Sequence, residues 1–339
     1  VSKDKGTGLL DHAVDLIARA MDALGLNGTR LRWKWNQKRM QLGENGLRRE
    51  MFWRSAKGKH KMCPGCRELV PRSARKCPEC GRGLASVSAP GIGRMLSNLL
   101  PGATAATSLI LLVNGFWFVL MIMAQIKAGG GSAGGFSLFG SFDGELMVRF
   151  GSGLSFPVLL PDGSVTGGEW WRIVTPIFLH AGLLHFFFNS YVLLQLGPIV
   201  EGIFGTSRFW VIYLSCGLAG SMASQLPRDI ITIGASGAVM GLIGLLLVYG
   251  WRHGGALGES LKTSMVRFLI YIAVFSLVFP GIDHVNHAGG FACGALLALV
   301  VPTGDYRGRG EALFWPAASL AGVLLVLWAF SNVAASGLG

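Results

Sequence analysis

Charge is scarce in this chain. Of its 339 residues only 14% are charged, against about 25% in an average soluble domain, while 51% are apolar and mean hydropathy is +0.49. Such scarcity excludes a disordered chain and argues against an ordinary soluble enzyme. Cysteine is sparse too. Four of the six, Cys63, Cys66, Cys77 and Cys80, crowd together, while Cys216 and Cys293 fall in apolar stretches. That distribution is not a secreted disulfide framework. An opening apolar run is also lacking, because Val1-Ser-Lys-Asp-Lys leads into an amphipathic segment, so no signal peptide is expected. Glycine, by contrast, is plentiful at 50 residues, as it is where membrane helices pack closely.

The few charges are unevenly spread. Residues 1–100 hold 20 Lys and Arg against 8 Asp and Glu, and the remainder holds 10 of each, so the whole net charge of +12 sits in the first hundred residues. A basic head on a neutral apolar body points to a cytosolic N-terminus joined to a membrane domain.

Four regions follow along the chain. Residues 1–62 form a basic N-terminal region that opens with a short amphipathic helix, since Leu10, Ala13, Val14, Ile17, Ala20, Met21 and Leu24 recur at helical spacing before Gly25. Its Trp33, Trp35 and Trp53 among basic residues could touch nucleic acid or anionic lipid, but a solvated positive linker is the stronger reading. Residues 63–84 carry Cys63-Pro-Gly-Cys66 and, ten residues on, Cys77-Pro-Glu-Cys80-Gly. Two such knuckles can set four thiolates tetrahedrally around Zn²⁺, as in a small zinc ribbon. Four sulfur ligands leave no open position for substrate, so this zinc is expected to be structural. The module then acts in recognition, with a cytosolic protein as its partner or metal status as its signal. A linker spans 85–103, and the membrane domain runs from 104 to 335.

Residues 104–126 carry no charge and are long enough to span a bilayer. Further apolar stretches lie near 179–200, 209–226, 232–250, 266–282, 285–302 and 312–331, giving an expected count of seven spans. With the N-terminus inside, the inner loops hold Arg208, Arg252, Lys262, Arg267, Arg307 and Arg309, and the longer outer segments hold only Lys127, Arg149, Arg172 and Arg228. The bias runs as the positive-inside rule requires, and it puts the C-terminus outside.

Polar residues within apolar helices are costly and therefore informative. Ser236 stands in Gly234-Ala-Ser-Gly237, followed by Gly241, at the outer end of the fourth span. Alone it reads as a packing serine in a GxxxG face. His287 opens the sixth span, with Gly290 and Gly294 as a second GxxxG. If the two glycine faces meet, Ser236 and His287 come within hydrogen-bond reach, and the imidazole becomes a general base for the hydroxyl. His180, His185 and Asn189 lie on the outer half of the second span. His185 and Asn189 share a face at i,i+4 and could donate to an oxyanion, while His180 is expected to bond loop backbone. Glu201, in Gly197-x3-Glu201-x3-Gly205 at the inner end of that span, is expected to tie inner-loop backbone. Asp283, one turn before His287, reads as an N-cap.

Residues 140–335 resemble the rhomboid intramembrane serine proteases. The resemblance rests on Trp171-Arg172 before His180, on His180-x4-His185-x3-Asn189, on the glycines flanking Glu201, on Gly234-Ala-Ser-Gly237, and on Asn286-His287-Ala-Gly-Gly. It implies an all-α polytopic membrane fold, a six-helix core with one added C-terminal helix, behind the cytosolic ribbon. It also implies a Ser236–His287 dyad that needs no cofactor, and an oxyanion hole from His185, Asn189 and the Ser236 N–H. Trp171 and Arg172 would belong to a structured loop in the outer leaflet. Substrates would be transmembrane proteins with a locally unstable helix, cleaved in the bilayer of a cell's inner or plasma membrane if the source is bacterial. One departure is Met240, where the family usually carries Tyr or Phe against the catalytic His. It motivates an alternative, an inactive relative that binds membrane-protein clients.

Overall fold

The computed structural model describes residues 16–19, 60–62, 69–71, 74, 76–79, 81, 104–128, 140–225, 231–278, 281–304 and 308–335. The chain divides into two compact units, residues 1–87 and 88–339. Cys63, Cys66 and Cys80, Trp33, Trp35 and Trp53, the 85–103 linker, Arg228 and Arg307 lie outside the described residues. So does most of the N-terminal amphipathic segment, of which 16–19 are helical.

In the first unit, β1 (His60–Met62) pairs antiparallel with β2 (Leu69–Pro71), Met62 opposite Leu69. Cys77 is buried against Val70. The Gly81 N–H donates to the Cys77 carbonyl at 3.0 Å. Gly81 has φ +68°, in the left-handed region that glycine occupies without cost. Among the described residues no group of three or more His, Cys, Asp or Glu could hold a metal ion.

The second unit is helical. Its long helices are α1 (Ala105–Lys127), α2 (Leu183–Phe204), α3 (Thr206–Gln225), α4 (Ser236–His253), α5 (Gly255–Val278), α6 (His284–Val300) and α7 (Arg309–Ala335). Among the described residues, four helices are long and apolar enough to cross a membrane: α1, α2, α7 and, over Leu257–Leu277, α5. The remaining three pack chiefly on one another. Every residue of α4 from Gly237 to Leu246 is buried. A face turned to protein can be Gly, Ser or Cys where a lipid-facing one must be apolar. α6 is apolar but only 17 residues long.

Two boundaries differ from the apolar-run reading. The α5 helix begins at Gly255, well before 266, because Glu259 and Lys262 pair at 2.8 Å on an exposed helical turn that no apolar run reveals. The α2 helix begins at Leu183, after two 3₁₀ turns (Trp170–Ile173 and Thr175–Phe178). His180 consequently precedes the second long helix rather than riding on it.

Both GxxxG faces meet. A Cβ built on Gly290 would stand 3.0 Å from the Gly237 Cα and closer still to its carbonyl, and one on Gly294 would stand 2.8 Å from the Gly241 Cα. So α4 and α6 touch backbone to backbone.

The end of the helical unit that bears Glu201, termed inner after the expected orientation, is fastened by charge. The buried Glu201 carboxylate accepts from Thr104 Oγ1, from Thr206 Oγ1 at 2.8 Å, and from the N–H groups of Ala106 and Thr107 at 3.4 Å each. It thereby caps the α1 N-terminus, where free N–H groups and the helix dipole favour an anion. The buried Arg208 donates to the carbonyls of Phe204 (3.3 Å) and Gly304 (2.6 Å) and to Glu311 (3.1 Å).

Candidate active site

A loop between α1 and α2 frames the opposite end, termed outer on the same expectation. It holds a six-residue helix (Gly144–Arg149), a small hairpin (Val158–Leu159 with Val165–Thr166) and the two 3₁₀ turns. Arg172, 1% exposed, is its hub, donating to Val148 O (2.8 Å), Ser152 O (3.0 Å), Glu169 (2.7 Å) and Thr166 Oγ1 (2.6 Å) and lying over the Trp171 ring. Burial pushes the Glu169 carboxyl upward, but hydrogen bonds from Thr166 and its own backbone, with the Arg172 guanidinium, outweigh it and leave the group more acidic than usual.

This loop also positions the strand-like segment that leads to Ser236. Gly153 and Thr232 exchange backbone hydrogen bonds at 2.7 and 2.9 Å, and the Gly234 N–H donates to Pro176 O at 2.9 Å. Gly234 then turns the chain with φ +129°, and Ser236 is the first residue of α4. A Cβ on Gly234 would stand 2.7 Å from His185 Nε2 and 3.6 Å from Ser236 Oγ. Imidazole edge and hydroxyl thus share the space that any side chain at 234 would fill.

His185 is oriented from behind. The Ala181 N–H donates to its Nδ1 at 3.4 Å. An imidazole that accepts at Nδ1 carries its proton on Nε2, the nitrogen that faces Gly234. The Asn189 amide donates one hydrogen to His185 O at 2.9 Å and retains a second. His180, expected to bond loop backbone, makes no hydrogen bond of ordinary geometry through either ring nitrogen. It is fully buried and packs edge-on against His185 and Phe186, with centroids 5.4 and 5.3 Å apart.

On the α6 side, Asp283 is the N-cap, its carboxylate accepting from the Asn286 N–H at 3.0 Å. The same carboxylate accepts from Ser224 Oγ and from Thr232 Oγ1 at 3.2 Å, so it faces the loop before Ser236 rather than an imidazole. Ser224 and Thr232 escaped the sequence reading because nothing in their spacing links them to position 283. His287 sits one residue past Asn286, half-buried, and no side-chain hydrogen bond joins it to Ser236. The hydroxyl instead receives the Asn286 Nδ2 at 3.5 Å. Met240 is buried on α4, one turn beyond Ser236.

A Rhomboid domain matches residues 167–303, which include Trp171, Arg172, His180, His185, Asn189, Glu201, Ser236 and His287 and stop short of α7. The Putative rhomboid protease YdcA of Bacillus subtilis is 33% identical over 138 residues, 40% of this chain and 69% of that protein. The chain belongs to the rhomboid family. Rhomboid protease GluP of the same organism is 34% identical over 172 residues, half of this chain and 32% of that one. Rhomboid-type serine protease 2 of Emericella nidulans is 33% identical over 143 residues, 39% of this chain and 27% of that one. The chain therefore spans about a third of two of these rhomboid relatives and about two thirds of the third. Rhomboid membership and the apolar helices make this a polytopic helical membrane protein of a serine-protease family.

Proposed function

We propose that this rhomboid is an active intramembrane serine endopeptidase with Ser236 as nucleophile and His287 as general base. The observation that supports it is the meeting of α4 and α6 through Gly237–Gly290 and Gly241–Gly294, because these two residues lie on the first turns of the two helices so joined. His287 removes the Ser236 proton, Oγ attacks a substrate carbonyl, and the resulting oxyanion is held by His185 Nε2–H, the free Asn189 N–H and the Ser236 backbone N–H. Collapse to an acyl-enzyme releases the amine with the proton from His287, and water then frees the acid. A Ser–His hydrogen bond absent at rest commonly tightens only when substrate is bound. The substrates are transmembrane proteins with a locally unwound helix, since a helical carbonyl is already hydrogen-bonded and shielded.

In the same reading all seven long helices cross the bilayer of the cell's inner or plasma membrane, with the N-terminus cytoplasmic. Buried Cys77 and the Gly81 N–H on its carbonyl suit a zinc knuckle pair. Cys63, Cys66, Cys77 and Cys80 would hold one structural Zn²⁺, which would supply folding stability and take no part in catalysis.

A second reading is a client-binding rhomboid without activity, favoured by Met240 and by the absence of a Ser236–His287 hydrogen bond. Purified protein in liposomes with a generic single-span substrate separates the two. Cleavage by wild type, lost in Ser236→Ala and His287→Ala, is the expected result. Substrate that co-purifies with all three and is cut by none would overturn the protease reading.

A further inference from the structure

Asn286 is where three helices meet, and its side chain is the one that reaches Ser236. It is 3% exposed. A Cβ added to Gly220 on α3 or to Gly237 on α4 would collide with its Oδ1. Both glycines are thus needed to admit this amide. Their Cα–H groups can approach a carbonyl oxygen but would repel an NH₂, which fixes the amide with Oδ1 between the glycines and Nδ2 toward Ser236. The other end of the residue is equally fixed, because the backbone N–H is held by the Asp283 cap at 3.0 Å.

We infer that Asn286 is a positioning residue for Ser236, donating from Nδ2 to Oγ so that the hydroxyl proton is directed to His287. A serine hydroxyl has one hydrogen and two acceptor lone pairs. Occupying a lone pair from the α3–α6 side restricts rotation about Cβ–Oγ and leaves the hydrogen for the imidazole. The long separation at rest, 3.5 Å, suits a tether that tightens as charge builds on Oγ and releases when the ester forms. Sequence reading passes over the residue because His287 beside it claims the chemistry.

This inference rests on Ser236 being the nucleophile, and its test keeps the two apart. The rate of covalent labelling by a fluorophosphonate would be measured on full-length protein in detergent, for wild type, Ser236→Ala, Asn286→Ala and Asn286→Asp, with thermal unfolding of each. Labelling of wild type but not of Ser236→Ala upholds the nucleophile whatever the Asn286 variants do. No labelling of wild type overturns the nucleophile reading and this inference with it. Asn286→Asp keeps the shape and loses the donor. It should label about five- to tenfold more slowly near neutral pH while still folded at the assay temperature, a loss of the order of one hydrogen bond.

The deciding readout is the ratio of wild type to Asn286→Asp as pH falls. A protonated carboxyl regains an O–H donor, so the ratio should shrink toward one in acid. His284, His185 and Asp283 are present in both proteins; the new carboxylate favours protonation of His287 in the variant alone, which would widen the ratio as pH falls, so a ratio that shrinks carries the donor's signature. A ratio that stays flat with pH, or Asn286 variants that label at the wild-type rate, would overturn the inference. So would a rate loss that only follows lost thermal stability in both variants.

Discussion

The two ends of the helical unit use polar residues in opposite ways. At the inner end, Glu201 receives four donors from α1 and from the α2–α3 junction, and Arg208 reaches three acceptors. At the outer end Ser236 receives one long hydrogen bond, His185 one at 3.4 Å, and Asn189 keeps a hydrogen to spare. Each unpaired buried polar group costs about 1–3 kcal/mol, and Glu201 avoids that cost through donors supplied by the fold itself. Groups left with capacity to donate are the ones that a reacting carbonyl can complete. Arg172 shows that position alone does not decide this, for it lies at the outer end yet is fully engaged in holding the loop.

Four changes would break or sharpen this contrast. The largest effect should come from Ser236→Ala, which is expected to lower cleavage by at least about 10³-fold while leaving the unfolding temperature within a degree or two. Loss of a nucleophile removes the covalent route without touching packing. Next is Gly294→Val, which forces a branched side chain into the Gly241 backbone. Thermal unfolding should drop by the equivalent of about 1–3 kcal/mol or more, with activity lost because α6 carries His287.

Glu201→Gln tests the inner end alone. It keeps the shape and removes the charge that caps α1, so stability should fall by about 1–2 kcal/mol, while activity per folded molecule holds at moderate temperature. If activity fell without a loss of stability, the division between the two ends would be wrong. The smallest effect is that of acid on the outer loop. Glu169 is more acidic in the folded loop than when unfolded, so its pairing with Arg172 stabilises fully above the ordinary carboxylate range and is lost as pH falls through the lowered value. Hydrogen-exchange protection in residues 150–178, referred to the intrinsic exchange rate at each pH, should fall on acidification below the usual Glu range, and Glu169→Gln should flatten that response.

Much of the site was legible in the sequence because its spacings are local. His185 and Asn189 are a helical turn apart, Gly237 and Gly241 likewise, and Asp283 stands at capping distance from Asn286. The two glycine pairs on the fourth and sixth spans offered flat faces of matching length, and the structure shows that they meet. Other parts depended on contacts remote in sequence. Asp283 meets Ser224 and Thr232, Glu201 meets Thr104, and Asn286 meets Gly220 and Ser236 across three helices. The start of α2 was misjudged for a local reason: 179–182 is apolar enough to read as helix, yet 3₁₀ turns and extended backbone precede Leu183.

By itself the sequence determined the membrane-embedded helical class, the basic head, the order of the chemical residues and the presence of two glycine faces able to pack. Hydropathy and one-turn spacing are properties of neighbours in the chain, and they survive without a fold. Only the tertiary structure decided which donor reaches Ser236, which nitrogen of His185 faces the site, and which carboxylates are spent on capping. Those outcomes depend on side-chain direction across α2, α3, α4 and α6, where ångström differences in packing choose among partners that composition cannot rank.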